Sequence, residues 1–167
     1  MKFNVLDVRD HAGRPQGFHF STSAENLDVA LRDASIVGDI KIDGNVVFTG
    51  TGFHVEGNIC FDKHFQCDRC LEIFTQPQKY SFSEEYRKLE DKTAESDDVI
   101  WFSGDVIDFS EMIRENIILA QPLNNICSEA CKGLCMKCGA NLNNGDCGCD
   151  RTIIDPRLAA LQKLLSH

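Results

Sequence analysis

The sequence predicts an α+β fold, in which a twisted antiparallel sheet carries one packed helix and a cysteine-rich C-terminal segment ending in a second helix. Between Ile36 and Tyr86, apolar and polar residues alternate with a period of two, as they do in antiparallel strands that bury one face. An apolar stripe with helical spacing follows Asp108. Six of the nine cysteines then lie between Asn124 and Arg151. Each part of this fold follows from a local pattern.

The alternating region predicts three or more strands. The opening residues around Phe3 also alternate and predict a further strand, whereas residues 23–31 fit either a short helix or an irregular connection. Turn chemistry in the run Asp43-Gly44-Asn45 predicts a turn before Val46. A second alternating run, from Phe53 to Phe65, leads directly to Cys67. We therefore expect the segment from Cys67 to Cys70 at the tip of a hairpin.

Beyond this hairpin, the sequence predicts a loop, a short strand and two helices. Residues 84–98 carry seven acidic against three basic residues and no apolar period, which predicts a solvated strand end and loop. Residues 99–102 predict a short buried strand, and residues 104–105 a turn. Asp108, with Glu111 three residues later, predicts a capped helix that ends before Pro122. Asp155-Pro156 predicts the start of the C-terminal helix.

Composition predicts a folded cytosolic protein. The 167 residues are 43% hydrophobic and include eleven Phe, enough for a packed core. No apolar run approaches the ~20 residues of a membrane helix, and no secretion signal can be recognised. We expect a sheet-and-helix domain over residues 1–126, on which the cysteine-rich segment 127–167 packs as part of one unit. In the cytosol, these cysteines would be thiols or metal ligands rather than disulfides.

The charge is unevenly distributed. The net charge is -9, with 12 Lys plus Arg against 22 Asp plus Glu in residues 1–126, but 5 against 4 in residues 127–167. A protein that binds nucleic acid by coating phosphates needs a cationic face. Any nucleic-acid contact should therefore involve the cysteine-rich segment or a local patch.

Eight cysteines have the spacing of metal ligands. Two residues between cysteines allow a tight turn to direct both sulfurs at one ion about 2.3 Å away. We call the cysteine-rich segment 127–167 the tail. The spacing favours a proximal tetrad shared by the predicted hairpin and the start of the tail, and a distal tetrad within the tail. The proximal tetrad is Cys67, Cys70, Cys127 and Cys131, and the distal tetrad is Cys135, Cys138, Cys147 and Cys149.

Two tetrathiolate sites predict two structural zinc ions, because a closed tetrahedral shell leaves no position for water or substrate. Spacing leaves two alternatives open: Cys127 and Cys131 could join the distal cysteines, or Cys67 and Cys70 could be free thiols. His64 could also replace one cysteine. Cys60, between Ile59 and Phe61, is expected to be a core or sheet residue rather than a ligand.

Four cations lie within or beside the cysteine clusters, namely Arg69, Lys132, Lys137 and Arg151. Each zinc tetrathiolate carries a formal charge of -2, so these cations either compensate that charge or contact phosphate. The five histidines lack the spacing of a zinc hydrolase, and no nucleophile elbow or phosphate-binding glycine loop is present. We therefore expect no catalytic residues and no small-molecule substrate.

Four segments resemble the YceD family of large-ribosomal-subunit RNA accumulation proteins. They are Cys67-Asp68-Arg69-Cys70-Leu71-Glu72; Ile107-Asp108 followed by the run from Glu115 to Pro122; the run from Cys131 to Asn143; and the run from Asp155 to Leu161. The resemblance extends in order from about Val37 to the C-terminus. It implies a factor needed for normal levels of 23S ribosomal RNA that acts in large-subunit biogenesis without catalysis. The implied partner is that rRNA or a large-subunit ribosomal protein or assembly factor.

Two other functions remain open on the sequence. A redox-sensing zinc-thiolate protein would lose zinc on oxidation, which would unfold the tail. An acidic adaptor would bind a basic ribosomal protein without contacting RNA.

Overall fold

The computed structural model describes residues 1–27, 36–91 and 99–151. In chain order, the elements are β1 (Lys2–Asn4), α1 (Leu6–Arg9), β2 (Gln16–Ser23), β3 (Ile36–Phe48), β4 (Phe53–Gln66), β5 (Ile73–Lys88), β6 (Val99–Phe102), β7 (Val106–Asp108) and α2 (Ser110–Leu119). Single 3-10 turns cover Glu25–Leu27 and Leu89–Asp91. The chain is thus an α+β protein with few helices. No helix in these described ranges is long and apolar enough to cross a membrane.

The main sheet is mostly antiparallel. Its five strands have the order β2-β3-β4-β5-β6, and β1 pairs with β7 in a separate two-stranded sheet. Strands β2 to β5 are antiparallel neighbours, as the period of two predicts. Strand β6 runs parallel to β5, so the expectation of a purely antiparallel sheet is wrong at this edge. A parallel neighbour requires a longer connection than a hairpin turn, and residues 89–98 separate the two strands along the chain.

The predicted turn at Asp43-Gly44-Asn45 is wrong, because these residues lie inside β3. The turn of this hairpin is at residues 49–52 instead, where the Thr49 N–H donates to the Gly52 carbonyl at 2.9 Å. Gly44 lies opposite Phe18 on one side and Gly57 on the other, and Gly57 lies opposite Phe82. The Phe18 and Phe82 rings occupy the space that Cβ atoms at Gly44 and Gly57 would need. Close packing of rings over these glycines, rather than turn geometry, explains the glycines here.

The core lies between one face of the main sheet and the elements that cover it. Helix α2 buries Met112, Ile113 and Ile117, and Phe109 packs against Phe18 with ring centroids 5.0 Å apart. This confirms the apolar stripe predicted after Asp108. The central strands contribute the buried residues Ile40, Ile42, Val46, Phe53, Val55, Ile59, Phe61, Phe82 and Tyr86.

Helix α2 begins differently from its prediction. Its N-cap is Phe109, which makes no side-chain cap hydrogen bond, whereas the Asp108 carboxylate accepts the Ser110 N–H at 3.0 Å. Glu111 forms an ion pair with Arg114 at 3.6 Å. The predicted capping box therefore does not form. Asp108, the residue before the N-cap, instead accepts a hydrogen bond from the first residue of the helix.

Two predicted strands differ in extent or burial. The opening strand stops at Asn4, because residues 6–9 turn into α1 and place Val8, not Leu6, in the core. Strand β6 is confirmed, but its predicted burial is wrong except at Phe102, since Ile100 remains 36% exposed at the sheet edge. The predicted C-terminal helix, residues 92–98 of the predicted acidic loop, and residues 28–31 lie outside the described residues.

Candidate metal centres at the end of the sheet

The proximal tetrad lies where the β4–β5 hairpin meets the tail. The Cys67 and Cys70 sulfurs come from the hairpin, and the Cys127 and Cys131 sulfurs come from the tail. All four sulfurs lie within 4.8 Å of one another. This cluster packs with Phe74 and Ile126 as a small core of its own, so it joins the tail to the sheet.

The hairpin tip is a tight turn that directs both sulfurs inward. The Leu71 N–H donates to the Cys67 carbonyl at 2.8 Å, and the Cys67 N–H donates to the Glu72 carbonyl at 2.9 Å. Leu71 adopts a left-handed φ of 62°, a conformation that glycine usually occupies. Asp68 then holds the chain two residues before the tail, because its carboxylate accepts the Asn125 N–H at 2.8 Å. The prediction of this segment at a hairpin tip is confirmed.

The distal tetrad lies within the tail and is more exposed. Its cysteines, 135, 138, 147 and 149, also bring their sulfurs within 4.8 Å of one another. Cys135 is buried and Cys138 is exposed. Gly139 supplies the left-handed residue of the turn with φ 73°, and its N–H donates to the Cys135 carbonyl at 2.8 Å. The cysteines thus come together in the two groups that their spacing favours.

The sulfur positions fit a tetrahedral ion. Four sulfurs at about 2.3 Å from a zinc ion would lie about 3.8 Å from one another. In the proximal tetrad, the Cys67 and Cys131 sulfurs are 3.9 Å apart, and the Cys70 and Cys127 sulfurs are 3.7 Å apart. The proximal tetrad therefore fits a tetrahedral ion, and the distal sulfurs, all within 4.8 Å of one another, are also compatible with metal binding.

Backbone donors stabilise one thiolate in each tetrad. Desolvation raises the pKa of Cys67, but hydrogen bonds from backbone N–H groups, led by that of Cys127, outweigh it and lower the pKa to about 6. The backbone N–H groups of Cys138 and Lys137 lower the pKa of Cys135 to about 6. Desolvation, followed by hydrogen bonds from neighbouring thiols, raises the pKa of Cys127 to about 12. A metal ion would therefore displace protons from some thiols and bind others already ionised.

One residue that sequence reasoning missed is Asn143. Its side-chain amide donates to the Cys131 sulfur at 3.3 Å, and this contact is the largest cause that lowers the pKa of Cys131. The only sequence signal is its place in an Asn-rich loop between two predicted ligand pairs. Asparagine is common in loops, so this signal does not distinguish a sulfur donor from a turn residue.

The structure separates the four candidate cations into two kinds. The Arg69 guanidinium donates to the Cys131 carbonyl at 3.2 Å, and Arg151 pairs with Asp146 at 3.2 Å. Lys132 and Lys137 are exposed beside the tetrads. Arg69 thus links the hairpin tip to the tail and Arg151 makes an ion pair within the tail, whereas the two lysine side chains face solvent.

Two residues considered as alternatives lie outside the tetrads. His64 lies on β4, where its Nδ1 shares a hydrogen bond of 2.8 Å with the Thr75 hydroxyl. Cys60 is half-buried in the same strand, opposite Lys41 and Lys79. Its predicted place in the sheet is confirmed, although it lies on the face away from the core.

Together, the fold and the tetrads define a class of protein with a mostly antiparallel sheet and two four-cysteine clusters compatible with metal binding. Residues 55–165 match the family described as large ribosomal RNA subunit accumulation protein YceD. The chain therefore belongs to the YceD family. The family description does not indicate a catalytic family.

Three curated relatives are similar to this chain. The chloroplastic large ribosomal RNA subunit accumulation protein YCED homolog 1 of Arabidopsis thaliana is 51% identical over 45 residues, 27% of this chain and 14% of the relative. The Zea mays protein of the same name is 50% identical over 44 residues, 26% of this chain and 15% of the relative. Uncharacterized protein YlbN of Bacillus subtilis (strain 168) is 26% identical over 170 residues, which cover 100% of this chain and 98% of that protein.

The match to the plant proteins thus spans about one seventh of their length. No matching solved structure was found.

Proposed function

We propose that this chain is a non-enzymatic, zinc-binding factor that acts in the cytosol in 23S rRNA accumulation and large-subunit biogenesis. The observation that carries the proposal is the pair of cysteine tetrads, in a chain whose family is named for large-subunit rRNA accumulation. Four sulfur ligands at tetrahedral spacing favour zinc over the hard cations, which bind oxygen. With all four positions taken by protein, each ion would be structural.

The proposed ligands of the two ions are the proximal and distal tetrads. The proximal ion would fix the tail to the sheet, because two of its ligands belong to the hairpin and two to the tail. The hydrogen bonds of Asp68 with Asn125 and of Arg69 with Cys131 support the same attachment. We propose that residues 1–126 and 127–167 fold as one unit on this basis.

Direct rRNA contact is proposed at the tail, through Lys132 and Lys137, with Arg69 and Arg151 in supporting roles. The lysines are exposed, and the tail has nearly balanced charge in a chain of net charge -9. Few cations imply few neutralised phosphates, so the log-log slope of affinity against salt should be shallow, roughly -2 to -4 for two to four phosphates.

The test is a double charge reversal. Lys132→Glu with Lys137→Glu should abolish binding to transcribed 23S rRNA while the protein keeps its metal content. The matched control is Lys41→Glu with Lys79→Glu, which makes the same charge change on exposed residues of the sheet. The control should bind as the parent does. Direct contact through the tail is wrong if the tail variant also binds as the parent does.

The charge distribution favours one second candidate. Residues 1–126 carry 22 acidic against 12 basic residues, which suits an adaptor that docks a basic ribosomal protein without touching RNA. Crosslinking in cells, followed by sequencing of attached RNA, separates the two. One discrete rRNA segment supports direct contact, whereas retention of a basic ribosomal protein without RNA supports the adaptor.

A further inference from the structure

The two tetrads are joined by a short shared segment. Cys131 belongs to the proximal tetrad and Cys135 to the distal tetrad, so only residues 132–134 separate the two sites. The Leu134 N–H donates to the Arg69 carbonyl at 3.0 Å, which fixes the segment against the hairpin tip. A movement of the cysteines at one site can thus displace those at the other, because very few bonds separate the two.

The Asn143 side chain, from the distal loop, binds Cys131 and the first residue of this shared segment. Its amide Nδ2 donates to the Cys131 sulfur at 3.3 Å, and its Oδ1 accepts the Lys132 N–H at 2.8 Å. The side chain therefore uses both its donor and its acceptor on the segment that supplies a proximal ligand.

The position of Asn143 is set by the distal loop. It lies in the chain between Cys138 and Cys147, two distal cysteines. Its own N–H donates to the Asn141 side chain at 2.9 Å, and the neighbouring Leu142 N–H donates to the Gly133 carbonyl at 2.9 Å. A distal ion that closes the loop from residue 135 to residue 149 would also hold Asn143 in place.

We propose that Asn143 is a positioning residue that couples the two metal sites, so that an ion in the distal tetrad strengthens metal binding at the proximal tetrad. The inference rests on the proposed binding of two ions. Its physical basis is that a donor held against a ligand sulfur stabilises the thiolate and fixes its orientation. Because coupling between binding sites is reciprocal, an ion in the proximal tetrad strengthens distal binding by the same factor.

The expected loss of zinc affinity is taken from what is typical of other metal sites. Removal of a residue that hydrogen-bonds a metal ligand typically lowers metal affinity by about 10- to 100-fold. Asn143→Asp keeps the oxygen that accepts the Lys132 N–H but removes the donor to the Cys131 sulfur. We expect this variant to bind zinc at the proximal tetrad about 10- to 100-fold more weakly.

The matched control is Asn144→Asp. It makes the same charge change one residue along the same loop, at an exposed position whose backbone N–H donates to the Asn141 carbonyl at 3.2 Å. We expect it to keep the parent's proximal affinity to within about twofold, since a single exposed charge changes local binding only slightly. The comparison thus subtracts the general effect of one added negative charge on this loop, and Asn143→Ala, used below, removes the donor without adding a charge.

The coupling itself is tested by a double-mutant cycle. The distal site is removed by Cys138→Ser with Cys149→Ser, and this change and Asn143→Ala are each measured alone and together. Zinc-loaded full-length proteins are titrated with a chelator, and cysteine alkylation is read by mass spectrometry, which reports each tetrad separately. Circular dichroism establishes that the sheet remains folded in every variant.

Loss of the distal site should weaken the proximal site by about 10- to 100-fold, and Asn143→Ala should add no more than about twofold in that background. If the two changes lower the proximal zinc affinity independently, so that their fold-changes multiply in the combined variant, the coupling is wrong. Equal proximal affinities of Asn143→Asp and Asn144→Asp would overturn it too while leaving the two-ion proposal intact. A parent that binds no zinc would overturn both.

Discussion

Gly57→Ala should destabilise the sheet strongly, because the backbone at Gly57 has no room for a methyl group. An added Cβ would lie 2.8 Å from the Phe82 ring and 2.9 Å from the Gly44 Cα, and closer still to the Asp43 carbonyl. The Phe82 ring can rotate, but the Asp43 and Gly44 backbone belongs to β3, whose pairing with β2 and β4 fixes its position. The clash therefore forces a shift between paired strands.

The expected cost is about 2–3 kcal/mol, the upper part of the range for overpacked interiors. In a chain of this size, it corresponds to a decrease in Tm of roughly 4–12 °C. Gly17→Ala is the control, since a Cβ there meets nothing closer than 3.6 Å; it should change stability by less than about 0.5 kcal/mol.

Urea unfolding in excess zinc, followed by circular dichroism and the fluorescence of Trp101, measures both variants. Similar urea midpoints for Gly57→Ala and the parent would refute the close approach of the β3 backbone to Gly57.

Two further predictions concern the buried lysine and the metal. Lys63 is only 1% exposed, and its Nζ donates to the Gln121 side chain. Desolvation lowers the pKa of Lys63 in the folded protein, so between this pKa and the ordinary value of lysine the folded protein binds fewer protons than the unfolded chain. The free energy of unfolding should therefore rise as the pH increases through this range. Lys63→Met should lack this part of the pH dependence in urea unfolding, and identical slopes in the two proteins would contradict it. Chelation should expose the amides of residues 127–151 to hydrogen exchange before those of β3 to β5, because the tail has little core of its own. Simultaneous loss of protection would instead mean that the proximal ion also holds the sheet.

Periodicity predicted the parts of the fold that depend on neighbours along the chain. The alternation around Ile42 and Ile59 is confirmed because a sheet with one buried face imposes a period of two on every strand. The turn prediction at Gly44 failed because the reason for that glycine is Phe18, which comes from another strand. The parallel edge strand β6 likewise depends on which side of β5 the returning chain reaches, and no local pattern encodes that choice.

The pairing of neighbouring cysteines was also predictable, because short spacings bring their sulfurs together whatever the rest of the fold does. The joining of Cys67 and Cys70 to Cys127 and Cys131 was favoured by the spacing but left open, because it depends on where the tail meets the hairpin. Asn143 was not predictable, since its contact with Cys131 exists only after the distal loop folds back on the shared segment. The two arginines show the same limit. Their sequence positions suit phosphate contact, but Arg69 reaches the Cys131 carbonyl and Arg151 reaches Asp146.

The zinc content of the purified full-length protein under reducing conditions tests the central claim most directly. Eight clustered thiols in two tetrads predict two zinc ions per chain. Serine in place of Cys67 should lower the content to one, whereas serine in place of Cys60, which lies outside both tetrads, should leave it at two. A parent that holds one ion or none after zinc is supplied would contradict the account.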